Sequence, residues 1–177
     1  LCIVSEETER VISERRLDML NMLGSKLVGT GSEEAVGNGV CVALDTNRRD
    51  FPFALIHLDN AAQPYRQCGS PDAAHLLDYP WLEGASDAVE SRKIRLPADF
   101  APPHGAWSIP PDEAIIVPIR GTGDQPRWGS LMLGLNPHRR DDPELIRLAE
   151  LVASQMSGAL SNVRALKIER QRAKRIW

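Results

Sequence analysis

Four side chains have types and settings that could support chemistry. His57 sits inside the nearly continuous apolar run Phe51–Leu58. A neutral imidazole there needs a hydrogen-bond partner, so it either satisfies a core position or lines a ligand pocket. Cys68 stands two residues after Arg66, and a neighbouring cation lowers the pKa of a thiol. Trp81 and Trp107 fall in a proline-rich stretch. Aromatic rings in an irregular connection either wall a small-molecule site or pin a long loop to the body of the protein. His57, Cys68, Trp81 and Trp107 are therefore the candidate ligand-pocket residues.

No catalytic constellation accompanies them. The carboxylate pairs Asp112/Glu113 and Asp141/Asp142 fit loop charge and helix capping better than acid–base work, and His75, His104 and His138 lie in loop-like contexts. Nucleophile, base and oxyanion donors cannot be assembled from the pattern, so catalytic residues are expected to be absent. Cys2, Cys41 and Cys68 are odd in number and widely spaced, with no CxxC and no histidine pair at zinc spacing. That disfavours both a disulfide framework and a metal site and suits a reducing cytoplasm. Gly24 to Thr30 has the spacing of a phosphate loop, but the residue before Thr30 is Gly29 rather than lysine, and the stretch closes a helical pattern instead of following a strand. Gly121-Thr122-Gly123 reads as loop glycine in a hairpin.

Charge narrows the partners. The chain of 177 residues has 21 Lys+Arg against 24 Asp+Glu, a net charge of −3. From Arg164 to Trp177 there are six basic residues and one acid, leaving +5 on that tail and −8 on everything before it. A globally basic nucleic-acid binder is excluded, and Lys/Arg at the end of a helix also complement its dipole. No apolar run approaches the roughly 18 residues of a membrane span. A hydrophobic content of 42% supports a real core in one domain. The first residue is Leu1 rather than Met, which leads us to expect a piece of a longer chain.

The elements that must position the four residues can be traced from the pattern. Val11, Ile12, Met19, Leu20, Leu23 and Leu27 recur near the helical period and predict a long amphipathic helix over Glu6–Val28. Ser32 is the expected N-cap of a second helix, with Glu33 and Glu34 in its first turn and the polar stretch Asp45–Asp50 ending it. Phe51–Leu58 predicts a strand buried on both faces, and Gln63–Gly69 an antiparallel return. Seven of the 13 prolines lie between Ser70 and Pro111, a density that breaks regular structure, though Trp81–Ser91 could form a short helix and Lys93–Leu96 a short strand. Ala114–Ile119 and Trp128–Leu135 predict a hairpin around the 121–126 loop. Asp142 as cap and Pro143 at the first helical position open a final long helix.

That helix carries a single seam in steps of three and four: Leu145, Leu148, Val152, Met156, Ala159, Val163 and Leu166. From Asp142 to Ile176 it spans ~50 Å at ~1.5 Å per residue, more than the ~40 Å breadth of a compact body of this size. Its basic end must protrude. Leu20, Leu23, Leu27, Leu145, Leu148, Val152, Met156, Val163 and Leu166 are the candidate residues for a dimerising or signal-carrying helical face.

The order helix, helix, two strands, irregular middle, strand hairpin and closing helix resembles that of a GAF domain. Local stretches carry the likeness further. Arg15-Arg16-Leu17-Asp18-Met19-Leu20, Asp50-Phe51-Pro52-Phe53-Ala54-Leu55-Ile56, Ala114–Ile119, Leu151–Met156 and Ala159–Ala165 look like the GAF modules of bacterial sensor and hybrid histidine kinases. Glu169–Lys174 resembles the helical linker toward their phospho-accepting domain.

The resemblance implies an α+β fold, with a central antiparallel β-sheet, the N- and C-terminal helices on one face and irregular loops with a short helix on the other. It also implies a division into a helical linker over 1–14, the domain over 15–166 and the start of a second helical linker over 167–177. The implied function is a cytoplasmic sensory or relay module, without catalysis of its own, in a two-component sensor histidine kinase. Its implied partners are a second copy, an unidentified small molecule and the kinase domain in cis, with no nucleic acid and no membrane span. The cofactor is unknown: the Asn-Lys-Phe-Asp type signature of cyclic-nucleotide GAF domains is absent, and Cys68 is followed by Gly69 rather than by the His of a bilin-attachment pair. Two alternatives remain open. One is a thiol enzyme resembling free-methionine-sulfoxide reductases, which needs Cys41 and Cys68 together. The other is a ligand-free dimerisation module with a collapsed pocket.

Overall fold

Each helix has a defined boundary and an apolar side. In the computed structural model, which describes residues 2–59, 65–68, 71–78 and 89–176, helix α1 runs over Cys2–Leu27 and turns Ile12, Met19 and Leu23 inward. Gly29, at φ +70°, follows its last turn, a left-handed terminator that glycine adopts without steric cost. Helix α2 (Glu33–Asp45) starts where the Ser32 hydroxyl accepts the Ala35 N–H at 3.0 Å, a cap that contributes roughly 1 kcal/mol. Helix α3 (Pro143–Arg175) begins with the Asp142 carboxylate accepting the Glu144 N–H at 2.9 Å, and Pro143 occupies a position where a missing N–H costs nothing.

Among the described residues five strands form one antiparallel sheet: β1 (Ala54–Leu58), β2 (Tyr65–Cys68), β3 (Arg92–Arg95), β4 (Glu113–Arg120) and β5 (Arg127–Gly134), in the order β2-β1-β5-β4-β3. The expected α+β class and antiparallel sheet are both present. β1 opens three residues later than the apolar run implies, because Pro52 has no N–H for a ladder, yet Phe51 and Phe53 are still buried. Pro118 lies past Ile116, the last residue of β4 that β3 pairs, so it interrupts no bond to β3. The stretch Pro71–Asp78, expected to be irregular, is a 3₁₀ helix. The short helix expected over Trp81–Ser91 falls mostly on residues 79–88, outside the described residues.

The central strands are apolar on both sides because each face supports its own core. Ile56, Leu58, Ile115, Val117, Leu131 and Leu133 face the helices, where Met19, Leu23, Val36 and Val40 meet them. Phe53, Leu55, Ala114, Ile116 and Met132 face the other way, under Leu76 of the 3₁₀ helix and Leu96 and Phe100 of the following loop. Gly134 makes room here: a Cβ at this position would lie 2.5 Å from the Phe53 ring.

The seam of α3 is part of the helix-side core. Leu145, Leu148, Val152, Met156 and Val163 are all buried, as is Leu23, while Leu20 and Leu27 pack partly buried against the same cluster. Leu23 and the five buried residues of α3 have almost no free surface for a second chain. Of the nine candidates for a dimerising or signal-carrying face, the domain's own core takes up six, Leu20 and Leu27 are half-buried, and Leu166 is exposed, at 45%.

Arg16 meets Asp142 at the start of α3, whereas Glu33, just past the end of α1, meets Arg164. Helices α1 and α3 therefore run in the same direction. Beyond Arg164 every described residue is exposed, so about 16 Å of helix projects from the body.

Candidate functional site

Cross-strand neighbours share a face of a sheet, and residues two apart along a strand share it too. His57 pairs with Ser130, and Ser130 with Pro118. One step along, Leu55 pairs with Met132 and Met132 with Ile116. The face away from the helices thus has an apolar floor that ends in a polar row. Ser130 is buried, at 4% exposure, in the middle of that row. The His57 side chain is 21% exposed, with Nε2 3.2 Å from Asp59 Oδ1, and Asp59 Oδ2 lies 2.8 Å from Arg127 Nη2. An imidazole oriented by a carboxylate that an arginine holds in turn, next to a buried hydroxyl, can both donate and accept hydrogen bonds to a polar ligand group.

On β2, Cys68 takes the register position opposite Leu55, and Arg66 the one opposite His57. Their side chains, and the whole of Trp81, lie outside the described residues. Trp107 belongs elsewhere. Its indole N–H donates to the Arg49 carbonyl at 2.8 Å, its ring meets His138 edge-on at a centroid distance of 4.9 Å, and Arg49 lies 5.7 Å from its centre. Arg49 precedes β1 whereas His57 is near the end of that strand, so Trp107 pins the 97–111 loop at the far end from the polar row. Cys41 is buried at 4% exposure among the helix-side core residues. A thiol sealed from solvent is poorly placed for nucleophilic attack.

A second polar cluster joins the sheet to both long helices. Asp50 is fully buried in the connection before β1. Arg15 Nη2 reaches its Oδ1 at 3.2 Å, Arg16 Nε its Oδ2 at 3.1 Å, and the Asn47 amide donates to Oδ2 at 2.9 Å. Arg15 Nε also donates to Asn47 Oδ1 at 2.9 Å. The same Arg16 guanidinium then donates to Asp142 Oδ2 at 3.0 Å. Burial pushes the Asp142 carboxyl upward, but hydrogen bonds from Arg16 and the Glu144 N–H, with the charges of Arg16 and Arg139, outweigh it and hold the group below the usual carboxylate range. For Arg16, burial pulls the guanidinium down while Asp50 and Asp142 raise it further, and the net shift is upward. Both charges are therefore maintained, and the start of α3 is tied electrostatically to the turn that feeds β1.

The architecture matches solved structures. A GAF domain of a protein described as a sensor histidine kinase from Pseudomonas syringae pv. tomato aligns over 96% of this chain and 99% of its own, at a TM-score of 0.59 and 19% identity. The fold is that of a GAF domain. A fragment of a methyl-accepting chemotaxis protein, residues 122 to 287, shares it at a TM-score of 0.55 and 15% identity, over 82% of this chain and 98% of that one. No family model matches the sequence, and no curated protein does.

Within this GAF fold, the sequence pattern singled out His57 but not Ser130, Asp59 or Arg127, which become neighbours of it only through strand register. Asp142 was legible as a cap and Arg15-Arg16 as part of a family-like stretch, but their meeting at Asp50 was not. Among the described residues no helix is long and apolar enough to cross a membrane, and no group of three or more His, Cys, Asp or Glu could hold a metal ion.

Proposed function

We infer that this chain is the sensory GAF domain of a multidomain signalling protein, with a two-component sensor histidine kinase as the parent. In this reading the domain is regulatory rather than catalytic, works in the cytoplasm as a homodimer, and is flanked by helical linkers over 1–14 and 167–177. A small molecule bound over the sheet face that holds His57 and Ser130 is the signal. The Arg16 bridge is the observation that carries the reading. One guanidinium spans Asp50, in the connection before β1, and Asp142, the N-cap of α3, so a shift of the ligand-facing sheet moves the projecting helix. That solved fragments from a sensor kinase and a chemotaxis protein share the fold supports the same reading.

Native mass spectrometry of the purified chain, followed by a thermal-shift panel of metabolites, tests the ligand. Binding is expected, with affinity reduced by His57→Ala, and hydrogen exchange is expected to change at residues 142–148 when the site fills. A bound ligand that leaves exchange in α3 unaltered would sink the relay. An absence of any co-purified or panel ligand would favour a ligand-free dimerisation module instead.

A further inference from the structure

Among the described residues the buried polar side chains are Asn47, Asp50, Ser130 and Asn136. Three of them have hydrogen bonds that account for their burial. Asn47 and Asp50 bind each other and Arg15, and Asn136 Oδ1 accepts the His138 N–H at 2.9 Å. Ser130 differs: at 4% exposure, its hydroxyl has no hydrogen-bond partner among the described residues. A buried hydroxyl left unpaired disfavours the folded state, so its place in the middle of the sheet calls for a partner from outside the fold.

Strand register gives the direction of that hydroxyl. Ser130 shares a face with Met132, two residues along β5, and Met132 belongs to the core on the side away from the helices. Its cross-strand neighbours are His57 and Pro118. Neither bonds it, and His57 is held by Asp59. The free hydroxyl therefore opens onto the same face as the polar row.

The charges around it select what can bind. Arg127 reaches Asp59 at 2.8 Å, and Arg120 is its cross-strand partner. Like charges set opposite each other on a sheet repel, and no carboxylate pairs with the Arg120 guanidinium among the described residues. Arg66 holds the register position opposite His57. Three arginines thus gather around one carboxylate, in a body whose net charge before Arg164 is −8. An amine would add a like charge to this group, whereas an oxyanion relieves the repulsion and accepts the serine O–H in a charge-assisted bond.

We propose that the ligand of this face is a small organic oxyanion, a carboxylate or a phosphate ester, bound by the Ser130 hydroxyl beside Arg127 and Arg120. The proposal names the ligand class of the sensory reading above and rests on that reading.

The test is an amide NMR titration of the 177-residue chain with sodium acetate, sodium benzoate and inorganic phosphate, at an ionic strength fixed with chloride. Acetamide and benzamide serve as neutral isosteres. At least one anion is expected to shift the amides of His57, Arg127 and Ser130 saturably while the isosteres leave them in place, and the contrast between carboxylates and phosphate identifies the head group. Ser130→Ala should weaken that anion about tenfold. The same variant, unliganded, should melt no lower than the parent, because alanine removes an unpaired hydroxyl; a serine with a merely structural role would lower the melting temperature and leave the affinity alone. Arg120 is exposed, so Arg120→Gln should stay folded and weaken binding roughly threefold. Isosteres that bind as well as the anions, parental affinity in Ser130→Ala, or a titration in which no anion moves these amides would overturn the proposal. A neutral metabolite found on this face by native mass spectrometry would overturn it and leave the sensory reading standing, since the exchange response at residues 142–148 decides that reading separately.

Discussion

Arg16 donates to Asp142 over 3.0 Å while its Nε holds Asp50 at 3.1 Å. A single side chain of α1 thereby fastens the N-cap of the closing helix to the turn before β1. The carboxylate it shares with Arg15 has no exposure to water, so this contact belongs to the class of buried ion pairs, in which removal of one partner leaves an uncompensated charge.

Asp50→Ala should accordingly be severe. It leaves Arg15, Arg16 and the Asn47 amide without their shared acceptor, and a loss of about 3–5 kcal/mol in urea unfolding is expected. Arg15→Ala should cost less than Arg16→Ala, since Arg15 is the more exposed (22% against 13%) and binds one carboxylate rather than two. A loss for Asp50→Ala below about 1 kcal/mol would mean that both arginines recover full hydration.

Asp142 adds a pH dependence. Its folded-state pKa is depressed below the ordinary 3.8, so its contribution is fully present above that value and is lost as pH falls through the lower, folded-state value. Melting temperatures recorded between about pH 2 and pH 6 should show a shallower acid limb for Asp142→Asn than for the parent. Equal slopes would place the acid sensitivity in other carboxylates.

Two glycines should respond oppositely to alanine. Gly105 has φ +65°, and a Cβ there would lie 2.5 Å from the Arg48 carbonyl oxygen. Gly105→Ala is expected to destabilise by about 1–3 kcal/mol and to lift the Trp107 loop from its seat, visible as a change in tryptophan emission. Gly158→Ala is expected to add up to about 1 kcal/mol to the stability of the monomer. Differential scanning calorimetry of the two variants distinguishes strain from propensity.

Arg164 closes the other end of α3. It lies 4.5 Å from the Trp128 ring centre and 2.8 Å from Glu33, so α3, β5 and α2 meet at the point where the helix leaves the body. Arg164→Ala should cost about 1 kcal/mol and raise hydrogen exchange from residue 160 onward, leaving the start of α3 protected. Unchanged exchange would show that Val163 and Leu160 alone hold the exit.

Short-range chemistry was the legible part of this chain. Ser32 and Asp142 act as caps, Pro143 opens a helix, the apolar run Phe51–Leu58 holds a strand with both faces covered, and β4 and β5 form a hairpin, because each of these leaves a signal within a few residues. Boundaries shifted where a local defect intervened, as at Pro52. The dense prolines of 70–111 concealed a 3₁₀ helix at Pro71–Asp78, since proline suits such a helix at its first position. The role of Trp107 was open in sequence, and its place beside Arg49 and His138 made it a loop anchor.

The sequence by itself determined the order of the long elements and the projecting basic helix, since periodicity, capping and length are properties of contiguous residues, and the α+β class followed from the resemblance that order carries. Only the tertiary structure decided which side of that helix is core and which is surface. It also set Ser130 beside His57, and it brought Arg16 to Asp50 and Asp142 across 34 and 126 residues of chain. The physical reason is that strand register and buried charge pairing couple residues through space, and neither leaves a periodic trace along the chain.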